Sequence, residues 1–146
     1  MNQVYVETTT VEVELFPDVL PVLKKLAQER VSVAVFTNGP TDGQTRKFLS
    51  LGLDRYIEKL FISENIGIAK PHAEAFNHVL SRLNCTREET MMVGDSLEYD
   101  VLGGKSAEIN AVLLDRLERF PKYTGEKIKN LFDLMPMLTV KGKRVS

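Results

Sequence analysis

Short apolar runs recur along the chain, each of strand length and each stopping at a polar or small residue. They are Val31–Phe36, Leu60–Ser63, Thr90–Val93 and Ala111–Leu114. Runs this short, bounded by turn residues, predict strands rather than buried helices. Between them, apolar residues recur at three- and four-residue spacing, which predicts helices over Pro17–Gln28, Gln44–Leu51, Ala73–Leu83 and Tyr99–Ser106. A short extended piece near Ile128 precedes a last helix from Leu131 to Leu138. The first part of the chain is different. Val4, Val6, Val11 and Val13, with Thr8–Thr10 between them, are strand formers and poor helix formers, so about Gln3–Leu15 reads as extended. Strands that alternate with helices imply an α/β fold, a Rossmann-like parallel sheet flanked by helices on both faces. Ligands of such sheets bind beyond the carboxyl ends of the strands. No repeat or linker divides the 146 residues. One domain over residues 1–146 is expected, with 1–14 as an atypical N-terminal extended segment.

The predicted strand ends carry the candidate chemistry. Val93-Gly94-Asp95-Ser96-Leu97-Glu98-Tyr99-Asp100 puts two carboxylates just past one strand. They repel each other, and a hard divalent cation would relieve the repulsion; Mg2+ is commonly held by one or two carboxylates while a phosphate supplies further oxygens. The same run also suits a plain turn and helix cap with Asp100 on an exposed face. The strand ending at Phe36 runs into Thr37-Asn38-Gly39-Pro40. A hydroxyl and the following backbone N–H groups suit an anion, although Asn-Gly alone is also an ordinary turn. Lys70 stands before Pro71 at a helix start, where a stiff backbone would aim its ammonium at a negative ligand.

A hydroxyl, an ammonium and paired carboxylates, each after a strand and in this order, resemble the haloacid dehalogenase (HAD) superfamily of phosphotransferases and hydrolases. The likeness runs from about Leu15 to the C-terminus. Leu15-Phe16-Pro17-Asp18-Val19 looks like the family's return from its helical cap into the core, and Phe36-Thr37-Asn38-Gly39-Pro40 is similar to its second motif. Lys70-Pro71 is similar to the third motif, and Gly94-Asp95-Ser96 with Asp100 to the fourth. Lys122, Tyr123, Ile128, Asn130 and Leu131 resemble the way the family closes its core. The resemblance implies that Thr37, Asn38 and Lys70 bind a phosphoryl group, with Thr37, Lys70 and Asp95 as the catalytic set. It implies that Asp95 ligates Mg2+ and that Asp100 supports it. His72, Tyr99 and Glu108 depart from the family at positions away from these contacts.

One motif is absent. The family's first strand ends in Asp-x-Asp, whose first aspartate attacks phosphorus and whose second handles the leaving-group proton; no Asp-x-Asp occurs in this sequence. The cap that usually follows it is missing too. The expectation is a chain that lacks the family's N-terminal portion. The alternative is a degenerate motif in Val4–Thr10, with Glu7 at the nucleophile position and Thr9 at the proton-transfer position. Threonine cannot act as a carboxylic acid near neutrality. The family's first strand lies centrally, between the strands ending at Thr37 and Gly94. Residues from about Gln3 to Glu14 are therefore expected to fill that slot, within the chain or across a homodimer. Glu7, Glu12 and Glu14 interrupt the apolar pattern of a central strand and point to a partly exposed one.

Composition narrows the function classes. The net charge of −1 provides no basic field for nucleic acid, and no apolar run approaches a membrane span. The tail Lys141-Gly142-Lys143-Arg144 reads as a solvated end. Cys85 is the single cysteine, compatible with a reducing compartment, and the N-terminus has no charged-then-apolar signal pattern, so the cytoplasm is expected. His72 and His78 read as solvated or edge positions, and Ser96 as a loop or helix cap. Two classes remain. One is a magnesium-dependent phosphomonoester hydrolase core, inactive alone for want of its nucleophile, whose partner is a small phosphorylated substrate or free phosphate. The other is a non-catalytic module that binds an anion, a metal or a protein partner.

Overall fold

The computed structural model describes residues 3–6, 16–57 and 59–137. Their strands form one six-stranded sheet, and every pairing is parallel. In chain order the strands are β1 (Gln3–Val6), β2 (Ser32–Thr37), β3 (Lys59–Ile62), β4 (Thr90–Gly94), β5 (Asn110–Leu114) and β6 (Lys127–Ile128). In space the order is β3-β2-β1-β4-β5-β6. The helices are α1 (Val19–Gln28), α2 (Thr41–Ser50), α3 (Ser63–Ile66) and α4 (Ala73–Leu83). A π-helical turn, Leu97–Leu102, then runs into α5 (Gly103–Ser106).

The central slot is filled from within the chain. Val4 of β1 lies opposite Val33 on one side and Met91 on the other, and Val6 lies opposite Val93. A parallel pair leaves no ladder group idle only if both neighbours are present, and β1 joins the two halves of the sheet. Val11, Val13, Glu12 and Glu14 fall outside the described residues.

Strand periodicity sorts the core into two layers. Val35, Met91, Val93 and Val112 face one side, where Val19, Val22 and Leu26 of α1, Phe48 of α2 and Leu131 cover them. Ala34, Phe36, Met92 and Leu113 face the other, under Phe76 and Val79 of α4 and Val101. Phe36 meets Phe76 edge-on, with centroids 5.4 Å apart and planes at 80°. The sheet is thus anchored from both faces, which holds the carboxyl ends of β1, β2 and β4 in fixed relation.

Four elements differ from the sequence pattern, each for a local reason. The expected helix Tyr99–Ser106 begins earlier, as the π turn: the Ser96 carbonyl accepts from both the Asp100 and the Val101 N–H, at 3.0 and 3.1 Å. Helix α2 starts at Thr41 instead of Gln44, because Glu64 satisfies the Thr41 N–H at 2.7 Å. Helix α3 is a single turn, too short to leave a periodic signal. The last helix opens as a 3-10 turn, Leu131–Asp133, with the Asn130 side chain accepting from the Asp133 N–H.

Asp18 precedes α1 but caps nothing with its side chain. It is buried, pairs with both terminal nitrogens of Arg116 at 3.0 Å, and accepts from the Leu131 N–H at 2.6 Å. Arg116 in turn stacks 4.0 Å from the Phe16 ring centroid. This cluster ties the start of α1 to the segments after β5 and β6.

Replacing Asp18 with Asn leaves Arg116 without its counter-charge and weakens the bond to Leu131. Urea unfolding should show a loss of about 3 kcal/mol, the usual cost of breaking a largely buried pair. A second prediction concerns Glu64, whose carboxyl is held below its ordinary range, by the Thr41 main-chain N–H first and the Thr41 side chain second. A depressed carboxylate lends stability above its unfolded-state pKa and loses it as pH falls through the folded-state value. Glu64→Gln should therefore be less stable than the parent at pH 7 and equal to it near pH 3, in denaturant titrations at both.

Candidate active site

The carboxyl ends of β2, β1 and β4 lie side by side, and the segments that follow β2 and β4 meet the α3–α4 connection at Lys70. Thr37 ends β2 and is buried; its hydroxyl donates to the Asn38 carbonyl at 3.1 Å. Gly39 follows with φ +130°, a conformation that side chains disfavour, and its N–H donates to the Ser63 hydroxyl at 3.2 Å. The Asn-Gly turn is therefore real, and it is fastened to α3.

Lys70 is a buried charge at this edge. It is 3% exposed, and its ammonium donates to the Phe36 carbonyl at 3.0 Å and to Asp100 Oδ1 at 2.6 Å. The Phe36 ring centroid lies 5.2 Å from the same nitrogen. Asn38 meets Lys70 at the main chain. Its amide nitrogen donates to the Lys70 carbonyl and its Oδ1 accepts from the Lys70 N–H, both at 3.1 Å.

Asp95 and Asp100 take different parts. Asp95, just past β4, is exposed. Asp100 is wholly buried; the alternative of an exposed face for it does not hold, because the π turn rotates it inward. Its Oδ2 accepts from the Ser96 N–H at 3.1 Å while Oδ1 holds Lys70. Gly94 makes this approach possible, since a Cβ there would fall inside the van der Waals envelope of the Asp100 carboxyl. Burial pushes the Asp100 carboxyl above its ordinary range; the Lys70 ammonium and the Ser96 N–H pull it down, and the Asp95 charge adds to the rise. Ser96 is the cap that the sequence suggests, its hydroxyl accepting from the Tyr99 N–H at 3.0 Å.

Thr37, Asn38, Lys70, Asp95 and Asp100 thus all stand at the same end of the sheet. Among the described residues at this edge, the carboxylates are Asp95, exposed, and Asp100, which serves Lys70 and Ser96. Among the described residues, no group of three or more His, Cys, Asp or Glu side chains is placed to hold a metal. Glu7 and Thr9 lie outside the described residues. His72 is exposed at the start of α4 and makes no side-chain cap bond. Cys85 Sγ lies 3.3 Å from the Thr90 hydroxyl, away from this edge. The link from Asn38 to Lys70 spans 32 residues, and sequence spacing carries no signal for it.

Among the described residues no helix is long and apolar enough to cross a membrane. The sequence model of the haloacid dehalogenase-like hydrolases matches residues 2–108. The ribulose-1,5-bisphosphate 5-phosphatase of Halopiger xanaduensis is 36% identical over 107 residues, 73% of this chain and 45% of that protein. A HAD phosphatase from Thermococcus onnurineus superposes with a TM-score of 0.79 at 30% identity, over 85% of this chain and 58% of that one. The HAD-hydrolase YfnB from Bacillus subtilis, solved bound to magnesium, gives 0.80 at 27% identity, over 86% and 57%. The chain spans about half the length of the curated relatives it matches. With the parallel sheet, the strand-end residues and the sequence match in agreement, the chain belongs to the haloacid dehalogenase-like hydrolase family.

Proposed function

We propose that this chain binds the phosphoryl group of a small phosphorylated compound, or free phosphate, among the Thr37 hydroxyl, the Asn38 N–H and Lys70. The observation that carries the reading is the buried Lys70–Asp100 pair, 2.6 Å across, at the strand end beside Thr37. A buried ammonium costs desolvation energy that its carboxylate only partly offsets. Such a pair beyond the strand ends, beside the end of β2 that carries the Thr37 hydroxyl, is the kind of arrangement that binds anions and supports phosphoryl chemistry. Thr37 would turn its hydroxyl from the Asn38 carbonyl to a phosphate oxygen, and Lys70 would neutralise a second.

Mg2+ belongs to this reading. The donors are hard oxygens, one exposed carboxylate backed by one buried carboxylate, and they fit a cation that keeps most of its waters. Asp95 would hold the ion directly, and Asp100 would steady it from the buried side. When bound, the ion would offset phosphate charge. The work is assigned to the cytoplasm, a reducing compartment that suits the thiol of Cys85.

Hydrolysis of a phosphomonoester is the family chemistry, but it needs an attacking carboxylate, and the sequence holds no Asp-x-Asp. The chain by itself is therefore assigned the binding half of the reaction, without turnover. That same absence supports a second reading, a non-catalytic module that keeps the anion and metal pocket.

With magnesium and an aryl phosphate, the purified chain should release no phosphate above background. Turnover that survives Glu7→Gln would contradict this. Turnover lost in Glu7→Gln would make Glu7 the nucleophile. Calorimetric titration should show weak Mg2+ binding that Asp95→Asn abolishes. Tight binding, or binding indifferent to Asp95→Asn, would remove the metal assignment. Asp100→Asn should cost about 3 kcal/mol in urea unfolding, since it leaves Lys70 buried without its counter-charge.

A further inference from the structure

We propose that Asn38 is a positioning residue for Lys70: its carboxamide grips the Lys70 peptide from both sides and so fixes where the ammonium stands. The proposal rests on the reading that Lys70 serves the phosphoryl group, and extends it to a residue that acts through Lys70.

The geometry is a matched two-point contact. The Asn38 amide nitrogen donates to the Lys70 carbonyl and Asn38 Oδ1 accepts from the Lys70 N–H, both at 3.1 Å. A planar carboxamide with donor and acceptor side by side imitates the edge of a neighbouring strand. One such bond would limit distance alone; two, of opposite sense, also fix rotation. Lys70 needs this because it sits in the connection between α3 and α4, outside the ladder that orders β1 to β6. Its side chain must still reach the Phe36 carbonyl at 3.0 Å and Asp100 at 2.6 Å. A shift at its Cα would carry the ammonium off both partners.

The placement of Asn38 adds to the argument. It follows Thr37 directly, and the Gly39 turn beyond it is fastened to Ser63. The end of β2 therefore presents one site hydroxyl and, through the next side chain, sets the ammonium that works with it. Few other side chains could do this. Aspartate would set an oxygen against the Lys70 carbonyl, serine is too short, and glutamine is longer by a methylene.

The test uses the isotopically labelled full chain, with Asn38→Ala and Asn38→Asp, and inorganic phosphate as the probe. Hydrogen exchange at the Lys70 N–H should accelerate about tenfold or more in Asn38→Ala, as for loss of a hydrogen bond in a folded protein, while the β2 amides keep their protection. The Lys70 ammonium nitrogen signal should shift or broaden in both variants. Phosphate affinity should fall about tenfold in Asn38→Ala, the scale of losing bonds that support a charged contact. In a Lys70→Met background, Asn38→Ala should cause no further loss, because the effect passes through Lys70.

Unchanged exchange and an unchanged ammonium signal in Asn38→Ala would overturn the proposal. So would an equal loss of phosphate affinity with and without Lys70, which would make the Asn38 side chain a direct ligand. If the parent chain does not bind phosphate, the proposed function fails. The positioning of Lys70 is then decided by the exchange and ammonium signals alone.

Discussion

The ion pair between Lys70 and Asp100 is the constraint around which this end of the molecule is organised. Both side chains are almost completely buried, so each must find its partner inside the protein. Most of the local peculiarities serve that need. Gly94 lacks a side chain because the Asp100 carboxyl occupies the space, and the π turn after Ser96 brings Asp100 inward. The Phe36 carbonyl, at the end of a core strand, takes a further bond from the ammonium. A pair of this kind adds little net stability relative to apolar packing. In the proposed function, the pair holds charge where a phosphoryl group would arrive.

The fold supports this device by rigidity. The central strand β1 joins β2 to β4, so Thr37 and Asp95 stand on either side of its carboxyl end. Two apolar layers clamp the sheet, and the Asp18–Arg116–Leu131 cluster ties the start of α1 to the segments after β5 and β6. Stability comes mainly from these layers, while the charged edge takes its order from them. The α3 turn belongs with the edge, because Ser63 and Glu64 hold the Gly39 and Thr41 N–H groups that follow β2.

Much of this was legible in the sequence, for identifiable reasons. Strands β2 to β5 are apolar runs closed by turn residues, and α4 runs over Ala73–Leu83 as its spacing predicts. Thr37, Lys70, Asp95 and Asp100 drew notice because each follows a strand. What could not be read were the long-range pairings. Asp18 looked like a helix-start residue, but Arg116, 98 positions away, claims it. Asp100 kept two readings until the π turn placed it inside, since a turn of this type depends on one carbonyl accepting twice and leaves no period in the sequence. The grip of Asn38 on Lys70 was hidden for the same reason: Asn-Gly is adequately explained by the turn it makes. Glutamates interrupting Gln3–Glu14 argued for a partly exposed strand; its described part, Gln3–Val6, pairs on both sides at the centre of the sheet, and the glutamates fall outside the described residues.

The central claim is that the edge formed by Thr37, Lys70 and the two aspartates is a phosphate and magnesium site. A crystal structure of the chain grown with magnesium and tungstate, a heavy and easily located phosphate mimic, tests it most directly. The account predicts tungstate within hydrogen-bond distance of the Thr37 hydroxyl and the Lys70 ammonium, with the cation on Asp95. Tungstate bound elsewhere, with this edge empty at saturating concentration, would contradict it.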